Sequence, residues 1–498
     1  MSFGKKNVKV LILLLLITVI TLSGCNNKKS SGETGKKSMT IMTVLHNPEV
    51  PNDRIEKLLE EKSGMDLTFQ WVPSGNYEEK INSAFATGTL PEAVYVGNTA
   101  LYLNFKEAIR DGQFWEIGPY LKDFEHLSNL NQTIINNTAV DGKIYGLYQG
   151  APLSRQGLIY RKDWADKLGL GTPETIDDIY KMAQAFTEND PDGNGKKDTI
   201  GITDRSDLVY GAFKSVSSWF GTPNNWGEKD GKLLPEFMFD EYLDTMDFIK
   251  DIREKGYMNS DFPVTSKDDQ QALFKNGTAG MYIGAIGDVQ GLYNDAVQLN
   301  PDVVLDVQNK ITGPDGKFGI WAIPGYGNMV LFPKSSVETE KELKDILEFY
   351  DFIASPEGAN LIYWGVEGEH YEVKDGKALV LDSDLSTREV KPYNSIQIGE
   401  AATNGRYDGA FTYDVKEKAE ALTIDNEKYL IHDPTVPLDS PTFIEKSELL
   451  AQIIKDASYQ YMLGDIDKEG FKDAIEKWKK SGGTDVINEF NESYKNNQ

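Results

Sequence analysis

Apolar residues recur in short runs separated by amphipathic stretches over the first third of the chain. Residues 39–45 form a strand candidate, and 53–62 a helix with Ile55, Leu58 and Leu59 on one face. A second strand is predicted at 67–72, a helix at 77–87 stopped by Gly88, and a third strand at 93–96. Strands alternating with helices imply parallel strands joined by crossovers, so the chain opens as an α/β fold. Asp141-Gly142-Lys143 between apolar runs signals a hairpin turn. Residues 158–160 read as a strand and 163–168 as a helix that stops near Gly169. Thr172-Pro173-Glu174-Thr175 opens a capped helix running to Ala185. Further amphipathic helices are predicted at 240–255 and 341–354, the latter with Leu343, Ile346, Leu347, Tyr350 and Ile353 at helical spacing. Residues 441–494 give two or three helices, broken at Gly464 and at Ser481-Gly482-Gly483. No repeat occurs, and no Pro/Gly linker divides the body. Two lobes joined by several crossings fit that pattern better than separate beads.

The first 25 residues differ in kind. Lys5, Lys6 and Lys9 precede an unbroken apolar or Thr run from 10 to 22, and Ser23-Gly24-Cys25 follows. A basic start, a short apolar stretch and small residues make an export signal. The run has 13 residues, and a spanning helix needs about 20. Leu22-Ser23-Gly24-Cys25 resembles the lipobox of bacterial lipoproteins, which implies that Cys25, the only cysteine, carries the lipid anchor. Residues 26–37, rich in Asn, Lys, Ser and Gly, read as a tether. No other stretch approaches the length of a membrane span, so the rest is expected outside the membrane.

Composition narrows the chemistry. The 498 residues hold 52 Lys and Arg against 78 Asp and Glu, a net charge of −26. Polyanion binding needs clustered cations that release counterions, so nucleic acid is excluded as a main partner. One Cys rules out an internal disulfide and Cys-based metal sites, and the four His are scattered. Asp190, Asp192, Asn194 and Asp198 stand at positions 1, 3, 5 and 9 of a calcium-type loop, with Gly195 at the turn and Lys196 offering its carbonyl. The twelfth position is Gly201 instead of a bidentate Glu, and Thr199 follows Asp198 where another acid would complete the shell. A structural Ca2+ is expected here. The competing reading is a solvated acidic turn.

Several blocks in register resemble the family 1 extracellular solute-binding proteins of bacterial ABC transporters, especially the LipO-like lipoproteins of Gram-positive bacilli. They begin with the helix end and turn Ala84-Phe85-Ala86-Thr87-Gly88-Thr89-Leu90-Pro91-Glu92-Ala93 and the hairpin Asp141-Gly142-Lys143-Ile144-Tyr145-Gly146-Leu147. Tyr160-Arg161-Lys162-Asp163-Trp164 and Leu273-Phe274-Lys275-Asn276-Gly277-Thr278-Ala279-Gly280-Met281 follow. The last is Gly365-Val366-Glu367-Gly368-Glu369-His370-Tyr371. The resemblance implies a two-lobed α/β periplasmic-binding-protein fold of type II with the ligand in the cleft. On this reading 1–24 is the signal peptide and 25–37 the tether. The N-terminal lobe is 38–155 with roughly 320–380 returning to it; 156–319 with roughly 381–498 makes the C-terminal lobe. The implied protein is a lipid-anchored monomer on the extracellular face, capturing an oligosaccharide or polysaccharide fragment for ABC permease subunits.

Sugar rings stack their C–H faces on aromatic side chains. Trp219, Trp226, Trp321 and Trp364 lie in Gly- or Asn-rich, loop-like surroundings, where binding residues concentrate. They are candidate ligand contacts, weighed against ordinary packing. Asn98 follows the third strand at a carboxyl end, where open α/β sheets place ligands, and Tyr148 follows the hairpin. Trp71, Trp164 and Trp478 read as packing residues, and His370 as a structural hydrogen-bonding residue. No Gly-x-Ser-x-Gly, His-Glu-x-x-His or phosphate-binding loop occurs, so no catalytic residue is assigned. A peptide-binding lipoprotein is one alternative. An anchored polysaccharide-cleaving enzyme is another, because two carboxylates suffice for glycoside hydrolysis.

Overall fold

The computed structural model describes residues 37–47, 49–97 and 99–496. Two sheets organise the chain, built from nine strands. These are β1 (Lys37–Leu45), β2 (Met65–Pro73), β3 (Ala93–Gly97), β4 (Gly146–Gly150), β5 (Gln156–Arg161), β6 (Ile200–Thr203), β7 (Ala279–Ala285), β8 (Leu305–Gln308) and β9 (Tyr326–Leu331). The first sheet runs β2-β1-β3-β9-β4. Ile41 of β1 sits opposite Phe69 and Ala93 in parallel neighbours, while β9 is antiparallel to β3 and β4. The parallel trio is the β-α-β-α-β opening expected from the apolar pattern. Helices Arg54–Ser63 and Tyr77–Ala86 make its crossovers. The second sheet runs β8-β5-β7-β6, with β5 antiparallel to both neighbours and β6 parallel to β7.

Local chemistry sets the boundaries. Asp141 and Gly142 both have positive φ (50° and 73°), and Val140 and Lys143 exchange hydrogen bonds across them, the two-residue turn that this φ pattern permits. Thr175 and Asp178 cap helix Ile176–Glu188 reciprocally, and Thr339 and Glu342 do the same for helix Glu340–Ile353. Ser440 and Pro441 open the helix Pro441–Leu463, and Gly464 closes it in the left-handed conformation.

Each sheet has its own core. The first gathers residues between Met39 and Leu153, between Tyr326 and Ile362, and then Val390, Tyr393, Ile396 and Ile398. The chain therefore stays with this lobe beyond the expected limit near 380. Tyr393 explains why: its ring meets Phe69 and Trp71 edge-on at 5.4 and 5.3 Å, and its hydroxyl donates to the Asn52 carbonyl. The second core runs from Leu158 to Trp321 and takes back Ala457 to Phe471. A smaller apolar cluster joins Trp226 and Leu233 to the C-terminal helices. Neighbouring passes of chain between the lobes are laced together. Gly150 N–H donates to the Gly399 carbonyl, Ala151 N–H to Gly325, and Ile323 N–H to Leu153. Gly150 has to be glycine, since a Cβ there would stand 2.7 Å from the Gly399 oxygen.

Candidate functional site: the cleft between the lobes

A cavity of about 1240 Å3 opens between the two cores. Lys106, Thr133, Asn137 and Ala139 line it from the first lobe. The second lobe contributes the loop 206–210, residues 224–226, Trp321 and the segment 432–440, continued along one face of helix Pro441–Leu463.

The loop 206–210 is shaped by carboxylates. Asp207 Oδ1 accepts the N–H groups of Val209 and Tyr210 at 3.0 and 2.9 Å, a local turn that Asp favours. Tyr210 is thereby held at the cavity wall with 44% of its surface exposed. Its ring stands 5.7 Å from that of Trp321, tilted by 62°. Trp321 itself is buried, its Nε1 donating to Ser215 Oγ at 3.2 Å. Behind the loop, Asp204 accepts the Ala212 N–H at 2.9 Å and so serves the start of helix Ala212–Trp219. Burial pushes the Asp204 carboxyl up to about 7.

A polar row, buried at Lys214 and open to the cavity at Asn225, forms part of the cavity wall. Lys214 Nζ donates to Asn225 Oδ1 at 2.7 Å and pairs with Glu236. Asn225 Nδ2 donates in turn to Asp433 Oδ2 at 2.9 Å, and Asp433 Oδ1 accepts the N–H and hydroxyl of Thr435. Burial holds the Asp433 carboxyl above the ordinary carboxylate range despite these bonds. Asn224 Nδ2 ties the row to the chain crossing through the carbonyls of Ala322 and Ile431. Across the cleft, Asp439 of the second lobe takes Lys106 Nζ at 3.3 Å and pairs with Arg110, both on helix Thr99–Arg110 of the first lobe.

The structure brings Trp226 and Trp321 together at this cavity, and it corrects the placement of three other candidates. Trp219 ends a helix whose every residue is buried, so its ring lies in the second core. Tyr148 is buried in the first core, where its hydroxyl accepts the Asn131 N–H and donates to Glu400. Trp364 is half-buried away from the cavity, its Nε1 donating to the Tyr407 carbonyl and its ring 4.8 Å from that of Tyr363. Asn98 and Cys25 lie outside the described residues. Tyr210, Asp433 and the Lys106–Asp439 pair escaped sequence reasoning. Asp207 three residues before Tyr210 was a usable turn signal, and so was the Pro-rich run His432-Asp433-Pro434-Thr435-Val436-Pro437. His370 is fully buried and accepts the Val366 N–H.

The calcium-type loop closes on itself. Asp190 gives both oxygens to the N–H groups of Asn194 and Gly195. The Asn194 amide nitrogen bridges Asp192 Oδ2 and Asp198 Oδ1 at 2.7 and 3.0 Å. Desolvation, and then the Asp190 and Asp198 carboxylates around it, hold the Asp192 carboxyl up. Thr199 spends its hydroxyl on the Phe186 carbonyl, and at Gly201 a Cβ would collide with Ala183. No three carboxylate, imidazole or thiolate groups converge on a metal position among the described residues. The donor set of three carboxylates and one amide is nonetheless an oxygen set of the kind hard cations take.

Two α/β lobes meeting at one cleft, joined by laced crossings, define a solute-binding protein that encloses its ligand between lobes. The chain belongs to the bacterial extracellular solute-binding proteins, whose family model matches residues 51–360. It is 41% identical over 503 residues to the polygalacturonan/rhamnogalacturonan-binding protein YtcQ of Bacillus subtilis (strain 168), spanning 99% of both chains. Lipoprotein LipO of the same strain is 34% identical over 498 residues, 97% of this chain and 98% of its own. Among solved structures, the ABC-transporter substrate-binding protein FusA of S. pneumoniae, an EF-hand mutant in complex with fructo-nystose, superposes with a TM-score of 0.65. That pair shares 20% identity and covers 93% of this chain and 99% of the other. No helix among the described residues is long and apolar enough to cross a membrane.

Proposed function

We propose that this protein captures an oligosaccharide, a plant-polysaccharide fragment in the first instance, and delivers it to the permease of an ABC importer. The observation that carries the reading is the pairing of aromatic side chains with a polar row in one interlobe cavity. Tyr210 offers an apolar face to a sugar ring, backed by the buried Trp321 and edged by Trp226, and Asp433, Asn225, Lys214 and Glu236 offer donors and acceptors to hydroxyls. Such a cleft, mainly apolar with a few placed polar groups, fixes orientation as well as affinity. YtcQ, named for binding pectic polymers, supports the choice of ligand class.

Binding works by shifting a population. A ligand that touches both lobes favours the closed form by its extra contacts there. The Lys106–Asp439 and Arg110–Asp439 pairs span the same gap, so they add to closure without competing for the aromatic faces. No bond in the ligand is broken, and no residue is assigned a catalytic role. A lipid on Cys25 would hold the protein at the extracellular face of the membrane, with 26–37 as tether. Asp190, Asp192, Asn194 and Asp198 with the Lys196 carbonyl would hold a structural Ca2+.

The test is a thermal-shift screen of the mature chain against oligosaccharides and short peptides, with chromatography of the sugars after incubation. A shift rising with one glycan class is the expected result. A shift with peptides alone would overturn the sugar assignment, and glycans cut into shorter products would replace binding by hydrolysis.

A further inference from the structure

We infer that the cleft selects an uncharged oligosaccharide and rejects one carrying carboxylates, galacturonate included. The inference rests on the oligosaccharide reading above and decides which sugars satisfy it.

An anionic ligand needs a cation with hydrogen-bonding capacity to spare, best a guanidinium fork. Among the described residues, the buried cations of this cleft already face carboxylates. Lys106, with 5% of its side chain exposed, faces Asp439. Lys214, equally enclosed, is held by Glu236 and Asn225. Arg110 serves Asp439, Asp141 and Glu107. Arg205, under the loop, donates to Gln270, Asp207 and the Tyr210 carbonyl. Lys455, exposed to solvent on helix Pro441–Leu463, makes no ion pair among the described residues and shares its lining face with Glu448, a screened position from which it would hold an anion weakly.

Carboxylates outnumber cations among the described lining residues. Asp207, Glu236, Asp433, Asp439 and Glu448 stand against Lys106, Lys214 and Lys455. Asp433 matters most, because its bonds come only from the neutral groups of Asn225 and Thr435. Its remaining acceptor capacity suits a sugar hydroxyl and opposes a second carboxylate, since like charges juxtaposed at an interface disfavour binding. A ligand carboxylate drawing on Lys106 or Lys214 would compete with Asp439 or Glu236 for it and set a further negative charge beside them. YtcQ keeps the fold at 41% identity, but specificity follows the charges lining the cleft, and here those charges favour hydroxyl donors.

The experiment is calorimetric titration of the mature chain with two length-matched panels: oligogalacturonides, and neutral galacto-, arabino- and xylo-oligosaccharides. A neutral sugar should bind at least about 100-fold more tightly than any galacturonide, equivalent to about 2.7 kcal/mol. Methyl esterification of the galacturonides should raise their affinity at least tenfold. Glu236→Gln, which frees Lys214 from its ion pair, should raise galacturonide affinity in a chain that still melts cooperatively. Galacturonides binding as tightly as the best neutral sugar, or esterification without effect on ones that do bind, would overturn the inference alone. Silence from both panels would overturn the oligosaccharide reading itself and the inference with it.

Discussion

Replacing Asp439 with Asn should weaken ligand binding by loosening closure while leaving each lobe folded. Asp439 belongs to the second lobe and receives two cations from one helix of the first, Lys106 at 3.3 Å and Arg110 beside it. Fully exposed ion pairs contribute up to about 1 kcal/mol, whereas stripping the partner from a buried charge costs about 3–5 kcal/mol. The side chains here are 5% exposed for Lys106, 25% for Arg110 and 31% for Asp439, between those limits. Asn retains an acceptor oxygen, and Arg110 retains Asp141 and Glu107. A loss of about 2 kcal/mol from the closed form is therefore expected, close to 30-fold in its population. If the closed form is minor without ligand, apparent affinity falls by the same factor. Titration calorimetry with the best saccharide measures it, and small-angle scattering of the ligand-free chain reads the lobe separation. The drop should shrink as salt rises. An Asp439→Asn chain with unchanged affinity and unchanged radius of gyration would refute the bridging role.

Other outcomes follow from single contacts. Tyr210→Ala, at a side chain 44% exposed, should cost less than about 1 kcal/mol of stability but ten- to hundredfold in affinity. Trp219→Ala should instead cost about 3–5 kcal/mol of stability, and a stable variant that merely lost ligand would contradict its placement in the core. Asp204 carries its proton up to about pH 7 when folded, against 3.8 for the free group. Its contribution is then full below about pH 4 and is lost as pH rises to 7, by at most about 4 kcal/mol. Asp204→Asn should flatten that slope in denaturation curves recorded across the window, and an unaltered slope would assign it elsewhere. Chelation should lower the melting temperature by mass action if Ca2+ occupies the 190–198 loop. A melting temperature and calcium content both indifferent to chelator would leave that loop a hydrogen-bonded turn.

Much of the scaffold was legible because its signals are local. The parallel trio β1–β3 follows from the apolar spacing of 39–96, and Asp141-Gly142 and Thr175 mark a turn and a cap by their own chemistry. The site was less legible because its parts are distant in sequence. Lys106 meets Asp439 and Asn225 meets Asp433 only through the folded cleft, hundreds of residues apart. Loop-like context pointed to Trp226 and Trp321, which line the cavity, and to Trp219, which does not, since the Gly221–Asn225 turn begins just beyond a helix that is buried on every side. Tyr393 shows the same effect on a boundary. Nothing near it announces that its ring will lie against Trp71, more than 300 positions earlier, and that contact keeps the chain in the first lobe.

A crystal structure of the mature chain with the best saccharide from the screen tests the central claim most directly. The sugar should lie intact between the lobes, with rings against Tyr210 and Trp321 and a hydroxyl donating to Asp433. A ligand seated outside this cleft, or a cleaved product within it, would contradict the assignment of the cavity as the capture site of a solute-binding protein.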